Sequence, residues 1–273
     1  ISQEISLGDD NPIILNVNIA PIKGLPGEES KTIMAFHDVT QLRKLEQVRA
    51  DFVVNVTHEI KTPLTAILGF VQTLQEGAME NKAQAAEFLG IISANALRLN
   101  RLVDDLLTLS RIELGEARLC LEKVDAGEAV LQAVAVIEGQ AKAKGLAIRR
   151  GWPDDLPPIL ADADSLLQIL LNVLDNAVKF TQSGSISVAI SLDIKGYLAI
   201  TVADSGIGIP RQEIARLGER FYRVDKMRSR ELGGTGLGLS IVKHLLKAHR
   251  GWMEVESQPG AGTAVKLLFP IDA

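Results

Sequence analysis

A histidine and a glutamate stand side by side in the segment VTHEIKTPLT, residues 56–65. The apolar residues around them recur at helical spacing, and on a helix the face of His58 carries polar residues, Thr62 among them. An exposed imidazole is a competent nucleophile when one ring nitrogen is free and a neighbouring group accepts the proton of the other. Glu59 is placed to be that acceptor, and the Thr62 hydroxyl could orient a water molecule. The pattern therefore favours chemistry at His58 over a core histidine.

Pro63 lies within this helical pattern. Proline cannot donate a hydrogen bond to the carbonyl of Glu59, and its ring crowds that carbonyl, at a cost of ~3 kcal/mol. We interpret Pro63 as a local hinge beside a histidine that must meet more than one partner.

A row of amides follows later in the chain, in LLQILLNVLDNAVKFT, residues 166–181. Gln168, Asn172 and Asn176 are spaced four residues apart, which places them on one helical face. Amide oxygens suit a hard cation such as Mg²⁺, which keeps waters and takes few protein ligands beside phosphates. Taken alone, such a row of amides favours capping or hydrogen bonds between helices.

Two glycine-rich segments could approach a nucleotide closely. In ADSGIGIP, residues 203–210, Gly206 and Gly208 give the backbone this freedom. Asp204 could accept a hydrogen bond from an adenine amino group, the alternative being a simple turn. GGTGLGLSIVKHL, residues 233–245, leads into a helix, and a glycine-rich loop at a helix N-terminus can bind phosphate, although this pattern alone is a weak signal. This segment matches neither a P-loop nor the dinucleotide fingerprint.

Two long helices must position the histidine. From Thr40 to about Gly77 one apolar stripe recurs at spacings of three and four, and after a polar break a second stripe from Ala85 to Leu109 has the regular spacing of a coiled-coil seam. Two long helices with a short connection form an antiparallel hairpin. Because a lone hairpin buries little surface, we expect a homodimer through a four-helix bundle.

The rest of the chain mixes helices and strands. Gly115 is expected to end the hairpin, and a strand pair is expected near the N-terminus with a turn of Pro21, Gly24, Pro26 and Gly27. The pattern predicts helices over 125–144, 164–180 and 238–249, and strands over 13–20, 32–39, 185–194, 197–203, 252–257 and 263–269, with a turn at Lys195–Gly196. This order indicates an α+β chain in which helices cover one face of a sheet. The first forty residues are too few for a core of their own and read as a domain remnant.

The composition narrows the class of protein. The chain has 273 residues, 47% hydrophobic and 23% charged, which is typical of soluble globular proteins. A net charge of −5 gives no reason to expect nucleic-acid binding. The single cysteine, Cys120, fits a reducing compartment, and no apolar run is long enough to cross a bilayer. We expect a cytoplasmic protein that is cut from a longer one, with any membrane anchor in segments absent from this chain.

Five segments in order resemble the signature boxes of sensor histidine kinases of two-component systems. They are VTHEIKTPLT, NVLDNAVKFT, DSGIGIP, ERFYRVD and GGTGLGLSIV, and the resemblance covers residues 40–270. The likeness is to the phosphate-sensor type, and the segment FHDVTQLRKLE is similar to the end of a PAS sensor domain. The resemblance implies a PAS remnant over 1–40, a dimerisation and phosphotransfer hairpin over 41–115, and a catalytic ATP-binding domain of the histidine kinase/Hsp90-like α/β-sandwich type over 116–273.

The resemblance also implies the roles of individual residues. His58 would be autophosphorylated from ATP with Glu59 as its acid/base partner, and would pass the phosphoryl group to an aspartate of a response-regulator receiver domain. Thr62 would position water for dephosphorylating that regulator. Asn176 would bind Mg²⁺, and Asp204 would read the adenine. The remaining nucleotide-binding residues would be Asn172, Lys179, Gly206, Gly208, Arg220, Arg223, Gly234, Thr235, Gly236, Leu237 and Gly238.

The remaining aromatic and histidine residues have expected roles outside catalysis, and two alternative functions are considered. Phe221 and Tyr222 are expected to be packing residues, and His37, His244 and His249 structural or surface residues. A clamp or topoisomerase-type ATPase shares the nucleotide fold, but it activates water with a carboxylate where this chain has Asn172, and it lacks the HE-x-x-T-P helix. A non-catalytic dimeric scaffold would leave the five boxes unexplained.

Overall fold

The computed structural model describes residues 2–8, 12–22, 31–114, 119–193, 196–225 and 233–271. The chain divides into two compact units, Ile1–Lys61 and Thr62–Ala273. Each unit is described by itself.

The first unit contains a three-stranded antiparallel sheet. Its strands are β1 (Ser2–Leu7), β2 (Ile13–Ile22) and β3 (Lys31–Asp38), in the order β1-β2-β3. The β2–β3 pair confirms the predicted strands. Pro21, predicted in the turn, belongs to β2 and pairs with Thr32, whereas Gly24, Pro26 and Gly27 of the predicted turn lie outside the described residues. Strand β1 was missed because six residues with only two apolar side chains carry little periodic signal.

The long helix that follows is anchored to this sheet at its first residue. Helix α1 spans Thr40–Gln75. The Asp38 Oδ1 atom accepts a hydrogen bond from the Thr40 N–H at 2.9 Å, and the Thr40 hydroxyl accepts one from the Ile14 N–H at 2.8 Å. Arg43 forms ion pairs with Glu4 of β1 and with Glu46. The helix start is therefore fixed by hydrogen bonds and charge.

The predicted helical hairpin is confirmed. Helix α1 is continuous through Pro63, and the division between the units falls just before it, after Lys61. A 3₁₀ turn (Ala78–Glu80) leads to α2 (Lys82–Glu113). Asn81 caps α2, accepting hydrogen bonds from two backbone N–H groups at 3.1 and 3.3 Å. Gly115, the predicted end of the hairpin, lies outside the described residues.

The remaining chain confirms the predicted α/β domain. Its helices are α3 (Ala126–Ala143), α4 (Ala163–Phe180), α5 (Arg211–Ile214) and α6 (Gly238–Ala248). Its strands are β4 (Glu122–Val124), β5 (Ala147–Gly151), β6 (Ile159–Ala161), β7 (Ser185–Leu192), β8 (Tyr197–Asp204), β9 (Trp252–Gln258) and β10 (Gly262–Pro270). Lys195 of the predicted turn before β8 lies outside the described residues.

Five strands form one mixed sheet in the order β5-β7-β8-β10-β9, and β4 pairs with β6 separately. Only the β5–β7 pairing within the five-stranded sheet is parallel. Along β7, Ile186, Val188 and Ile190 are buried while the residues between them are exposed. Helices α3, α4 and α6 contact this sheet, so its apolar side chains pack against them.

A buried histidine joins α6 to the start of α4. The His249 Nε2 atom accepts a hydrogen bond from the Asp162 N–H at 3.0 Å, and its Nδ1–H donates to the Leu245 carbonyl at 2.7 Å. The Asp162 carboxylate caps α4 at the Ser165 N–H (2.9 Å) and accepts from the Cys120 N–H (3.0 Å). Burial alone would raise the pKa of Asp162, but these hydrogen bonds outweigh it and lower that pKa.

Candidate functional site

An open cavity of about 260 Å³ lies beside α4, at the end of β8 and at the start of α6. Ten of the residues predicted to bind a nucleotide line it. They are Asn172, Asn176, Lys179, Asp204, Gly208, Arg223, Gly234, Thr235, Gly236 and Gly238. Segments far apart in sequence thus meet at one place.

Helix α4 contributes the amide row to one wall. Asn172, Asn176 and Lys179 face the cavity, and the Lys179 Nζ atom lies 2.6 Å from Asp175 Oδ2. The Asn172 Oδ1 atom is 2.9 Å from the position that a Cβ on Gly238 would occupy. A side chain at position 238 would therefore displace the Asn172 amide from its present position.

Asp204 ends β8 at the cavity. Burial raises the pKa of its carboxyl group, although hydrogen bonds from the backbone of Gly206 and Thr263 act in the opposite direction. The Gly206 N–H lies 2.8 Å from Asp204 Oδ1. A partly buried acceptor beside apolar residues suits a neutral donor such as an amino group on an aromatic ring.

The loop after Asp204 is shaped by its glycines. Gly208 has a φ of +68°, and a Cβ there would lie 2.0 Å from the Gln258 carbonyl oxygen. Gly206 does not line the cavity but packs against the Phe180 carbonyl. The two glycines therefore shape the loop backbone, and Gly208 also forms part of the cavity wall.

The loop before α6 is held by the preceding segment. The Phe221 N–H donates to the Gly236 carbonyl at 2.9 Å, and the Arg223 Nη2 atom donates to the Thr235 carbonyl at 2.7 Å. Leu237 is buried, and its N–H donates to the Thr235 hydroxyl at 3.3 Å. Backbone N–H groups at the first turn of α6 make this end of the cavity favourable for anions.

Helix α2 supplies two cavity residues that sequence reasoning missed, Arg101 and Asp105. The Thr235 hydroxyl donates a hydrogen bond to Asp105 Oδ2 at 2.7 Å, and burial raises the pKa of Asp105. Both residues adjoin the apolar seam of α2, and the sequence analysis followed the seam and assigned these two residues no role. Their opposite charges four residues apart were the only available signal.

Arg220 lies away from the cavity lining and forms an ion pair with Glu113 at the end of α2. Tyr222 does line the cavity, and the Arg216 guanidinium lies 4.0 Å from the centre of its ring. Of the two arginines in the ERFYRVD segment, Arg223 therefore lines the cavity and Arg220 pairs with Glu113 of α2.

The three predicted catalytic residues lie on α1. His58 and Glu59 belong to the first unit, with His58 exposed and Glu59 half-buried. Thr62 is the first residue of the second unit and is exposed, and Pro63 beside it is buried. Along the helix, Thr62 is one turn from His58.

A resident metal cluster is not found in the part of the chain that the structure describes, where no group of three or more His, Cys, Asp or Glu side chains could hold an ion. The cavity offers amide oxygens instead, which fit a Mg²⁺ ion held chiefly by phosphates and water. Among the same residues, no helix is long and apolar enough to span a membrane.

Two family models match the chain. Residues 48–115 match the His Kinase A (phospho-acceptor) domain, and residues 161–273 match the histidine kinase-, DNA gyrase B- and HSP90-like ATPase domain. The chain is 37% identical over 265 residues to the sensor histidine kinase WalK of Bacillus subtilis, covering 96% of this chain and 43% of that protein. A sensor protein kinase WalK of Staphylococcus aureus is 32% identical over 273 residues, with 98% and 65% covered. The chain therefore spans less than two thirds of these relatives.

Solved structures agree with the fold. Full-length ShkA in complex with AMPPNP superposes with a TM-score of 0.61 at 31% identity, over 83% of this chain and 46% of that one. Histidine kinase ThkA in complex with the response regulator protein TrrA gives a TM-score of 0.67 at 21% identity, over 99% and 78%. At this identity, the second match supports the fold alone. Together with the two family models and the relatives, these matches lead to one conclusion: the chain belongs to the sensor histidine kinase family.

Proposed function

We propose that this chain is an ATP-dependent protein-histidine kinase that phosphorylates His58 and then transfers the phosphoryl group to an aspartate of a response-regulator receiver domain. The observation that carries this proposal is the cavity, where four distant sequence segments bring amides, a lysine, a carboxylate and a helix N-terminus together. Family membership supports the same activity.

Different cavity residues bind different parts of the nucleotide. Asp204 accepts a hydrogen bond from the adenine amino group, and the glycines after it let the backbone approach the ring. The loop before α6, with Thr235, Leu237 and Gly238, surrounds the phosphates, and Lys179 and Arg223 neutralise their charge. Asn176, supported by Asn172, would hold a Mg²⁺ ion, which would supply positive charge beside the phosphates.

The chemical step is a phosphoryl transfer to nitrogen. One ring nitrogen of His58 forms a bond to the γ-phosphorus while the bond from that phosphorus to the ADP oxygen breaks. Glu59 accepts the proton of the other ring nitrogen, which keeps the imidazole nucleophilic. A second transfer to the receiver aspartate restores the histidine.

The helical hairpin suits assembly into a homodimer. In the second unit, Leu64 and Leu68 of α1 and Leu97, Val103 and Leu107 of α2 are exposed. Large exposed apolar side chains on a two-helix hairpin favour burial in a four-helix bundle with a second copy. The receiver domain would dock on the same hairpin near His58.

The remaining assignments extend this proposal. We assign residues 1–40 to the end of a PAS sensor domain, 41–115 to the dimerisation and phosphotransfer hairpin, and 116–273 to the ATP-binding domain. The three-stranded sheet before α1 supports the first assignment. The phosphate-sensor type stays a prediction, since the relatives found carry the name WalK. The chain would act in the cytoplasm, with any membrane anchor in other segments.

We assign Thr62 a role in a phosphatase activity toward the phosphorylated regulator. Its hydroxyl, one turn from His58, can order a water beside a phospho-aspartate docked on the hairpin. Thr62→Ala should keep phosphorylation of His58 and transfer to the receiver, and lose ADP-stimulated dephosphorylation of the regulator. A uniform decline of the three rates would instead assign Thr62 a structural role beside Pro63.

The proposed function is tested by phosphotransfer. The chain is first labelled with [γ-³²P]ATP and Mg²⁺, freed of nucleotide, and mixed with a panel of purified receiver domains. We expect the label to leave the kinase and appear on the aspartate of one receiver within seconds to minutes. A chain that hydrolyses ATP without becoming labelled would contradict the kinase and favour an ATPase.

A further inference from the structure

Asp105 stands at the nucleotide cavity although it belongs to the helical hairpin. Its Oδ2 atom accepts the hydrogen bond from the Thr235 hydroxyl at 2.7 Å, and the same hydroxyl accepts from the Leu237 N–H at 3.3 Å. Gly238, the next residue, begins α6. A carboxylate is thus linked through one hydroxyl to the anion-favouring start of a helix.

Further contacts place α2 against this side of the cavity. The Arg101 Nη2 atom lies 3.3 Å from the position of a Cβ on Gly233, at the beginning of the same loop. The ion pair of Glu113 with Arg220 forms a link two turns further along α2. Asp105 therefore belongs to a contact of several residues, which we call the α2 contact (Arg101, Asp105 and Glu113 with Gly233, Thr235 and Arg220).

From this geometry we propose that Asp105 is a specificity residue that makes the cavity favour a nucleoside diphosphate over a triphosphate while the α2 contact is made. The proposal rests on the proposed binding of ATP in this cavity. Asp105 carries negative charge to the loop that surrounds the phosphates, and repulsion grows with each charge the nucleotide adds. A terminal phosphate oxygen also competes with Asp105 for the Thr235 hydroxyl, whereas a shorter nucleotide leaves that bond in place.

The preference has a reciprocal consequence. If the α2 contact weakens ATP binding by a given factor, ATP weakens the α2 contact by the same factor. ATP would then release α2 from the glycine-rich loop, and ADP would leave the two together. Asp105 thereby couples the phosphate count of the nucleotide to the position of the hairpin.

The opposite role is chemically possible, because a carboxylate near phosphates can also ligate Mg²⁺. The two roles predict opposite signs. Loss of the Asp105 charge strengthens ATP binding if the residue repels the phosphates, and weakens Mg²⁺-dependent ATP binding if it holds the metal.

Calorimetric titration of the whole chain with ATP and with ADP, each with and without Mg²⁺, decides between them. Asp105→Asn removes the charge but keeps an oxygen that can accept from Thr235. We expect it to tighten ATP binding about 5- to 10-fold without Mg²⁺, and less with Mg²⁺, while ADP affinity changes by less than about 2-fold. The gain should shrink in 1 M salt, where charges are screened within about 3 Å.

Asp104→Asn is the matched control, because Asp104 is exposed on the same helix, accepts a hydrogen bond from Asn100 at 3.1 Å and does not line the cavity. Asp104→Asn should change neither the ATP affinity nor the ADP affinity. The proposal is overturned if Asp105→Asn changes the ATP and ADP affinities equally, if it changes neither, or if it weakens ATP binding. If the unmodified chain binds neither nucleotide, the proposed function fails together with it, whereas unselective binding of both overturns the inference alone.

Discussion

At the scale of single residues, the proposed function assigns the nucleophile and its proton acceptor to adjacent positions of α1, His58 and Glu59. The division gives each residue a separate kinetic signature.

Replacing Glu59 by Gln should slow phosphorylation of His58 by about 10²–10⁴-fold, because the imidazole loses its proton acceptor. ATP affinity should stay the same, since Glu59 is not among the residues that line the cavity. Single-turnover labelling measures the rate, and calorimetry the affinity. Glu76→Gln, at an exposed position after α1, is the control. A large loss of ATP binding in Glu59→Gln would count against this role.

Asn176→Ala should remove the gain in ATP affinity that Mg²⁺ provides, because the proposed protein ligand of the metal is lost. Titration of ATP with and without Mg²⁺ measures this gain. Gln168→Ala is a matched control, since Gln168 belongs to the same amide row of α4 but does not line the cavity. If Mg²⁺ still increases ATP affinity in Asn176→Ala, the metal is held elsewhere.

Ten of the cavity residues could be predicted from sequence because glycine-rich turns and an amide row are local patterns. The position of Asp105 at the cavity could not be predicted, because its hydrogen bond with Thr235 joins residues 130 positions apart. Arg220 shows the converse: its motif placed it with the nucleotide residues, and its side chain pairs with Glu113 instead.

At the scale of elements, the start of α4 depends on Asp162. This residue caps the helix, accepts from the Cys120 N–H and donates its own N–H to buried His249. Because α4 carries Asn172, Asn176 and Lys179, these bonds fix one wall of the cavity.

Asp162→Ala should lower the free energy of unfolding by about 1–2 kcal/mol at pH 7, the usual cost of losing a helix cap. The pKa of Asp162 is lowered on folding, so its charge stabilises the fold above its ordinary pKa of about 3.9 and this contribution is lost as the pH falls below that value. Urea unfolding of both proteins at pH 7 and near pH 3 should therefore show a smaller difference in acid. An equal difference at both pH values would mean that the Asp162 charge does not contribute.

The long elements were predictable for a physical reason. Helices α1 and α2 repeat their apolar spacing over many turns, and β7 alternates between buried and exposed residues. Strands β4 and β6 have three residues each, and β5 (AIRRG) is mostly polar, so none carries a periodic signal. Their pairing comes from tertiary contacts that no local pattern encodes.

At the scale of the whole molecule, one helix belongs to both compact units. Helix α1 begins at the sheet of the first unit and ends in the hairpin of the second, with His58 close to the division and Pro63 just after it. The predicted hinge at Pro63 stays a hypothesis, since the helix itself is unbroken there.

The central claim is that His58 receives the phosphoryl group of ATP, and labelling with [γ-³²P]ATP tests it most directly. The unmodified chain should gain phosphate that is stable to base and labile to acid, as phosphohistidine is. His58→Gln should gain none, while it binds ATP as before. His244→Gln, a histidine of α6 that bonds the Ser240 carbonyl, should still be labelled. Acid-labile phosphate on His58→Gln would contradict the account.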